Sequence, residues 1–108
     1  AGFSQGGAVA LESALTYPKK LAGLLLMSTY FATKDSIEYS PENSQLPVEI
    51  HHGIHDPVVP VTLSQVTHDV LKDKSYTVEM KHYPMEHSVC PAQIKDIGDW
   101  IINRLKLS

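Results

Sequence analysis

The sequence predicts an α/β fold, a sheet of about three parallel strands with helices on both faces. Three observations carry that expectation. Helical and extended patterns alternate as helix, strand, loop, strand, helix, strand, helix, which requires crossover connections and therefore a parallel sheet. Leu21 to Ser28 is apolar almost throughout, as a strand covered on both faces should be. The chain opens on Gly2-Phe3-Ser4-Gln5-Gly6, a G-x-S-x-G pentapeptide of the kind that turns a strand sharply into a helix.

Each element has its own warrant. Gln5 to about Leu15 reads as a helix whose small residues suit close packing on a sheet, and Pro18 ends it. Thr29 to Gln45 is polar and irregular, a surface loop with at most a turn of helix. Its length suits either a segment that shapes a binding surface or an ordinary insertion. Pro47 to His52 is a second short strand, ended by Gly53. Thr62-Leu63-Ser64-Gln65 has the spacing of a capping box, and Leu63, Val66, Val70 and Leu71 carry a helix to about Lys74. Tyr76 to Tyr83 alternates as a half-exposed strand near a sheet edge. Pro91 begins the last helix, with an apolar stripe at Ile94, Ile97, Ile101 and Leu105 and with Trp100 and Ile102 beside it.

Composition narrows the function classes. The 108 residues have the size of one small domain, and 43% hydrophobic with 19% charged residues is ordinary for a globular protein. A net charge of −3 argues against a nucleic-acid partner and against a polybasic membrane surface. No apolar run approaches the length of a membrane span, so no stable membrane insertion is expected. Cys90 is the single cysteine, which leaves no disulfide framework. With no signal peptide at the start, the expected compartment is the cytoplasm. A G-x-S-x-G turn needs a strand to hold it, and no room for one precedes Ser4. The chain is therefore expected to be the C-terminal part of a larger domain.

In parallel sheets the reactive groups sit on loops just past the C-terminal ends of strands. The loop after the first complete strand offers Ser28, Thr29 and Tyr30 as pocket wall, the next offers Asp56 and the last offers His87. A serine hydroxyl is a poor nucleophile at neutral pH and needs a base within hydrogen-bonding reach. An imidazole suits that task, and a carboxylate behind it fixes its tautomer. Ser4, Asp56 and His87 supply these three types in order. Other readings stand beside this one. The pentapeptide is also a plausible glycine-rich helix start with no chemistry, Asp56-Pro57 a plain turn, and His87 a surface histidine. His51, His52, His55 and Asp56 suggest a metal site, but adjacent strand residues point to opposite faces, so no metal is expected. Cys90 is a second candidate nucleophile, although its place at the start of a helix suits a structural residue better.

Gly2-Phe3-Ser4-Gln5-Gly6-Gly7, His52-Gly53-Ile54-His55-Asp56-Pro57-Val58-Val59-Pro60 and Met85-Glu86-His87-Ser88, in this order, resemble the carboxylesterase/acyl-protein thioesterase family of α/β-hydrolases. The Leu26-Met27-Ser28-Thr29-Tyr30 strand end is also similar, and the likeness covers essentially all 108 residues. The resemblance implies that residues 1–108 are the C-terminal portion of a single α/β-hydrolase domain. It implies a nucleophile at Ser4, an acid at Asp56, a base at His87 and an oxyanion donor at the backbone N–H of Gln5. It also implies an acyl-enzyme mechanism without cofactor, acting on small esters, lysophospholipids or acylated proteins. The family's second oxyanion N–H comes from an H-G-x-G-type loop in an N-terminal half that has no counterpart here. Two outcomes are therefore expected to compete: a serine esterase, or a catalytically silent piece that self-associates through an exposed sheet edge.

Overall fold

The computed structural model describes residues 1–33 and 35–105. Its elements are β1 (Gly2–Phe3), α1 (Gln5–Thr16), β2 (Leu24–Met27), β3 (Pro47–Gly53), α2 (Val61–Asp73), β4 (Thr77–Tyr83) and α3 (Pro91–Leu105), with a short 3₁₀ turn at Pro41–Asn43. The four strands pair in parallel in sequence order, with β1 and β4 at the edges. Two of the expectations change here. A strand does precede Ser4, although it has only two residues, and it raises the sheet to four strands. It pairs Gly2 with Leu26 and Phe3 with Met27, so the β1 side of Leu24 and Leu25 is the part of β2 that it leaves unpaired.

One face of the sheet carries the apolar core. Leu11, Ala14 and Leu15 of α1 and Leu71 of α2 pack on Leu24, Leu26, Val48, Ile50 and Val78. The alternation of strand side chains puts these residues on a common face. The opposite face meets α3 largely through Glu49, His51 and Tyr83, while the Trp100 ring of α3 lies against Gly23 beside β2. There Gln93 Nε2 approaches His51 Nδ1 at 3.2 Å, and Tyr83 Oη donates to Asp96 Oδ2 at 2.6 Å.

Four local expectations change. Ile94, Ile101, Ile102 and Leu105 do not face the sheet; all four are exposed, and Gln93 is the buried residue of α3. The face below is polar, so α3 turns its hydrogen-bonding side inward. Likewise α2 buries Ser64, Thr67 and Leu71 while Leu63 and Val66 are exposed. No capping box forms at Thr62, because α2 begins one residue earlier and Gln65 Nε2 donates to Asp69 Oδ1 instead. The 40–46 stretch, for its part, is tied down at the far end of α1 from Ser4. Ser40 N donates to Leu15 O, and the buried Asn43 side chain bonds Tyr17 O, Lys19 O and Leu21 N. With α1 twelve residues long, that end lies about 18 Å from Ser4, too far for the Ser40–Leu46 stretch to line a pocket at the serine.

Candidate active site

Ser4 joins β1 to α1 with φ 56° and ψ −123°, in the left-handed half of backbone space that non-glycine residues rarely occupy. The turn is tight: a Cβ on Gly2 would stand 2.2 Å from Gly6 O. The two glycines of the pentapeptide are not equivalent, since a Cβ on Gly6 would meet open space. Gly6 matters through its backbone, which occupies the room that Gly2 leaves. Ser4 is also the N-cap of α1, where a serine oxygen ordinarily accepts from the first-turn amides. Here it makes no such cap. Its Oγ lies 3.0 Å from His87 Nε2.

His87 is delivered by the loop between β4 and α3. Gly53 admits that loop, for a Cβ there would stand 2.3 Å from Met85 O. His55 N donates to Met85 O and Ile54 N to Tyr83 O, stitching the β3 and β4 loops together. His87 Nδ1 then lies 2.7 Å from Asp56 Oδ2. A carboxylate can only accept, so the proton is on Nδ1 and Nε2 is left to accept from the Ser4 hydroxyl. The Phe3 ring covers one side of the imidazole, with centroids 4.8 Å apart and planes tilted by 42°.

Asp56 serves two functions through its two oxygens. Oδ1 accepts from Val58 N and Val59 N, at 2.9 and 2.8 Å, which is the Asx turn expected of Asp-Pro. Oδ2 faces His87, and His52 Nε2 stands 3.5 Å away while bonding Val59 O at 2.7 Å. One carboxylate thus makes both the Asx turn and the contact to His87. Burial pushes its pKa up, but the hydrogen bonds from Val59, His87 and Val58 outweigh this and hold it below the ordinary aspartate range. Gln5 opens α1, so its amide has no intrahelical acceptor and belongs to the positive end of the helix.

Ser4, His87 and Asp56 are therefore brought together, and Gln5 adjoins them. Cys90 is half-buried at the start of α3. His51 and His52 face opposite sides of the sheet, the former toward α3 and the latter toward Val59. Among the described residues no group of three or more His, Cys, Asp or Glu side chains is disposed to hold a metal ion. Thr29 is not pocket wall: it is buried, and its hydroxyl donates to Ser4 O at 2.5 Å. A cleft of about 310 Å³ between β3, β4 and α3 includes Pro47 and Thr77 at the N-terminal ends of their strands. None of Ser4, Asp56 or His87 lines it.

The sequence profile described as phospholipase/carboxylesterase matches residues 1–104. The chain belongs to this family. Among its members, acyl-protein thioesterase 1 of Neurospora crassa is 40% identical over 96% of this chain and 44% of its own length. The Arabidopsis thaliana carboxylesterase SOBER1 is 37% identical over 97% of the chain and 47% of its own. The crystal structure of SOBER1 superposes with a TM-score of 0.87 at 33% identity, covering 96% of this chain and 51% of that one. The chain thus spans about half the length of the family relatives it matches.

Proposed function

We propose that Ser4 is the nucleophile of a serine esterase of the carboxylesterase and thioesterase type, with His87 as base and Asp56 as the acid that orients it. The observation that carries the reading is the hydrogen-bonded line Asp56–His87–Ser4, with spacings of 2.7 and 3.0 Å. As Ser4 Oγ attacks the carbonyl carbon of an ester or thioester, its proton passes to His87 Nε2. The tetrahedral oxyanion is met by the Gln5 N–H at the helix terminus. Collapse breaks the bond to the alcohol or thiol, which leaves with the proton from Nε2, and the acyl group stays on Ser4. Water then attacks the acyl-enzyme, giving its proton to His87, and the acid departs as Ser4 recovers its hydrogen. Small acyl esters, lysophospholipids and S-acylated proteins are the proposed substrates. Membership of the family, and relatives named as acyl-protein thioesterases and carboxylesterases, support that range. The proposed compartment is the reducing cytoplasm, supported by the lone free thiol of Cys90.

Turnover of a short-chain p-nitrophenyl ester tests the reading. Ser4→Ala should lose roughly 10⁶ in kcat with the fold intact. Activity that survives Ser4→Ala and disappears in Cys90→Ala would move the nucleophile to Cys90.

A second proposal is that copies of the chain associate with one another. Its support is the exposed stripe Ile94, Ile101 and Leu105 on α3 together with the partly unpaired edge of β2 beside β1. Light scattering checks it: a mass above that of one chain, reduced by Ile101→Lys, is the expected result.

A further inference from the structure

We infer that Thr29 is a positioning residue that aims the Gln5 N–H at the reacting carbonyl oxygen. The inference rests on the esterase reading and adds to it a residue outside the Asp56–His87–Ser4 line. Ser28, directly after β2, has φ 51° and donates its N–H to His51 O at 2.8 Å. That bend swings Thr29 beneath the Ser4 turn, where it is buried. The space is made by Gly7, on which a Cβ would stand 2.6 Å from Thr29 Cβ. From there the Thr29 hydroxyl donates to Ser4 O, which also accepts from Gly7 N at 3.0 Å and Ala8 N at 3.2 Å.

The consequence follows from the planar trans peptide. The carbonyl of Ser4 and the N–H of Gln5 belong to one rigid unit and point in opposite directions. Whatever holds the carbonyl therefore holds the N–H. The ψ of Ser4, −123°, is not helical, so regular helix geometry does not fix that unit on its N-terminal side. Gly7 and Ala8 pull on the carbonyl from within α1, and Thr29 is the donor that ties it to the end of β2. A hydrogen bond from the loop just past β2 thereby sets the direction of the oxyanion donor.

The test compares Thr29→Val, which replaces the hydroxyl by a methyl, with Thr29→Ser, which keeps it. Thr29→Ala repeats the deletion without added bulk, in case the valine variant misfolds. In uniformly ¹³C,¹⁵N-labelled chain, Thr29→Val and Thr29→Ala should shift the Ser4 carbonyl carbon upfield and displace the Gln5 amide resonance. Thr29→Ser should leave both near wild type. With the p-nitrophenyl ester, the same two deletions should lower kcat about 10- to 100-fold with little change in KM, because a small misaim acts only on the transition state. Thr29→Ser should restore the rate. Unmoved Ser4 and Gln5 resonances in a folded deletion variant would overturn the inference, as would unchanged kcat where Ser4→Ala abolishes turnover. Turnover that is absent from the wild-type chain, or that survives Ser4→Ala, would instead remove the esterase reading beneath it.

Discussion

On the face covered by α1 and α2, the sheet meets its helices through Leu24, Leu26, Val48, Ile50 and Val78. On the face covered by α3, it meets them through Glu49, His51 and Tyr83, which bond one another and the helix. The first face is held by hydrocarbon and tolerates no missing volume. The second is held largely by a few directional contacts, and α3 leaves Ile94, Ile101 and Ile102 exposed. Helix and strand patterns alone do not separate these cases, because both faces are covered. What separates them is the chemistry of alternate residues along β3, where Val48 and Ile50 point one way and Glu49 and His51 the other.

The sharpest way to break this contrast is to delete volume on the apolar face. Leu26 is fully buried at the centre of the sheet, and Leu26→Ala should lower the urea-measured stability by about 2–5 kcal/mol. On the polar face the expected loss is smaller. Gln93→Ala leaves His51 Nδ1 without its donor while Nε2 keeps Glu49 Oε2 at 2.7 Å, at a cost of about 1–3 kcal/mol. A loss from Gln93→Ala as large as that from Leu26→Ala would mean that the two faces are not differently built.

The α3 face and the loop that holds Asp56 should also differ in pH dependence. Burial holds His51 below its ordinary 6.5, against the pull of Glu49 and Asp96 and with that of Lys81. The unfolded chain then binds more protons, so this contribution is present above 6.5 and declines as pH falls below it. Asp56 also lies below its ordinary value, which is 3.8. Its contribution is complete well above 3.8 and is lost only as pH falls through the still lower folded value. Urea titrations across pH should therefore show two declines. His51→Gln should flatten the upper one and Asp56→Asn the lower. The smallest effect belongs to the outer side of α3: Ile101→Gln should change the stability of the single chain by no more than about 0.5 kcal/mol.

Much of this was legible in the sequence because local rules and the fold agreed. Gly2-Phe3-Ser4-Gln5-Gly6 announced the turn, and the apolar run around Leu24 announced a doubly covered strand. Ser4, Asp56 and His87 could be placed together because the loops past the C-terminal ends of parallel strands converge. The parts that were not legible depend on neighbours distant in sequence. The inward side of α3 cannot be read from Ile94 and Ile101, since the strand face beneath decides it, and the alternation Val48-Glu49-Ile50-His51 reads equally well as a solvated face. Thr29 was hidden for the same reason. Nothing beside it in the sequence says that Ser28 bends the chain beneath a turn lying more than twenty residues earlier.

Covalent capture reads out whether His87 and Asp56 make Ser4 a nucleophile. Treatment with an alkyl fluorophosphonate, followed by intact mass and peptide mapping, reports the reacting atom without a choice of substrate. The expected result is a single adduct on Ser4 that is absent from Ser4→Ala and strongly slowed in His87→Ala. Labelling of Cys90, or labelling of Ser4 at the same rate with and without His87, would contradict the account.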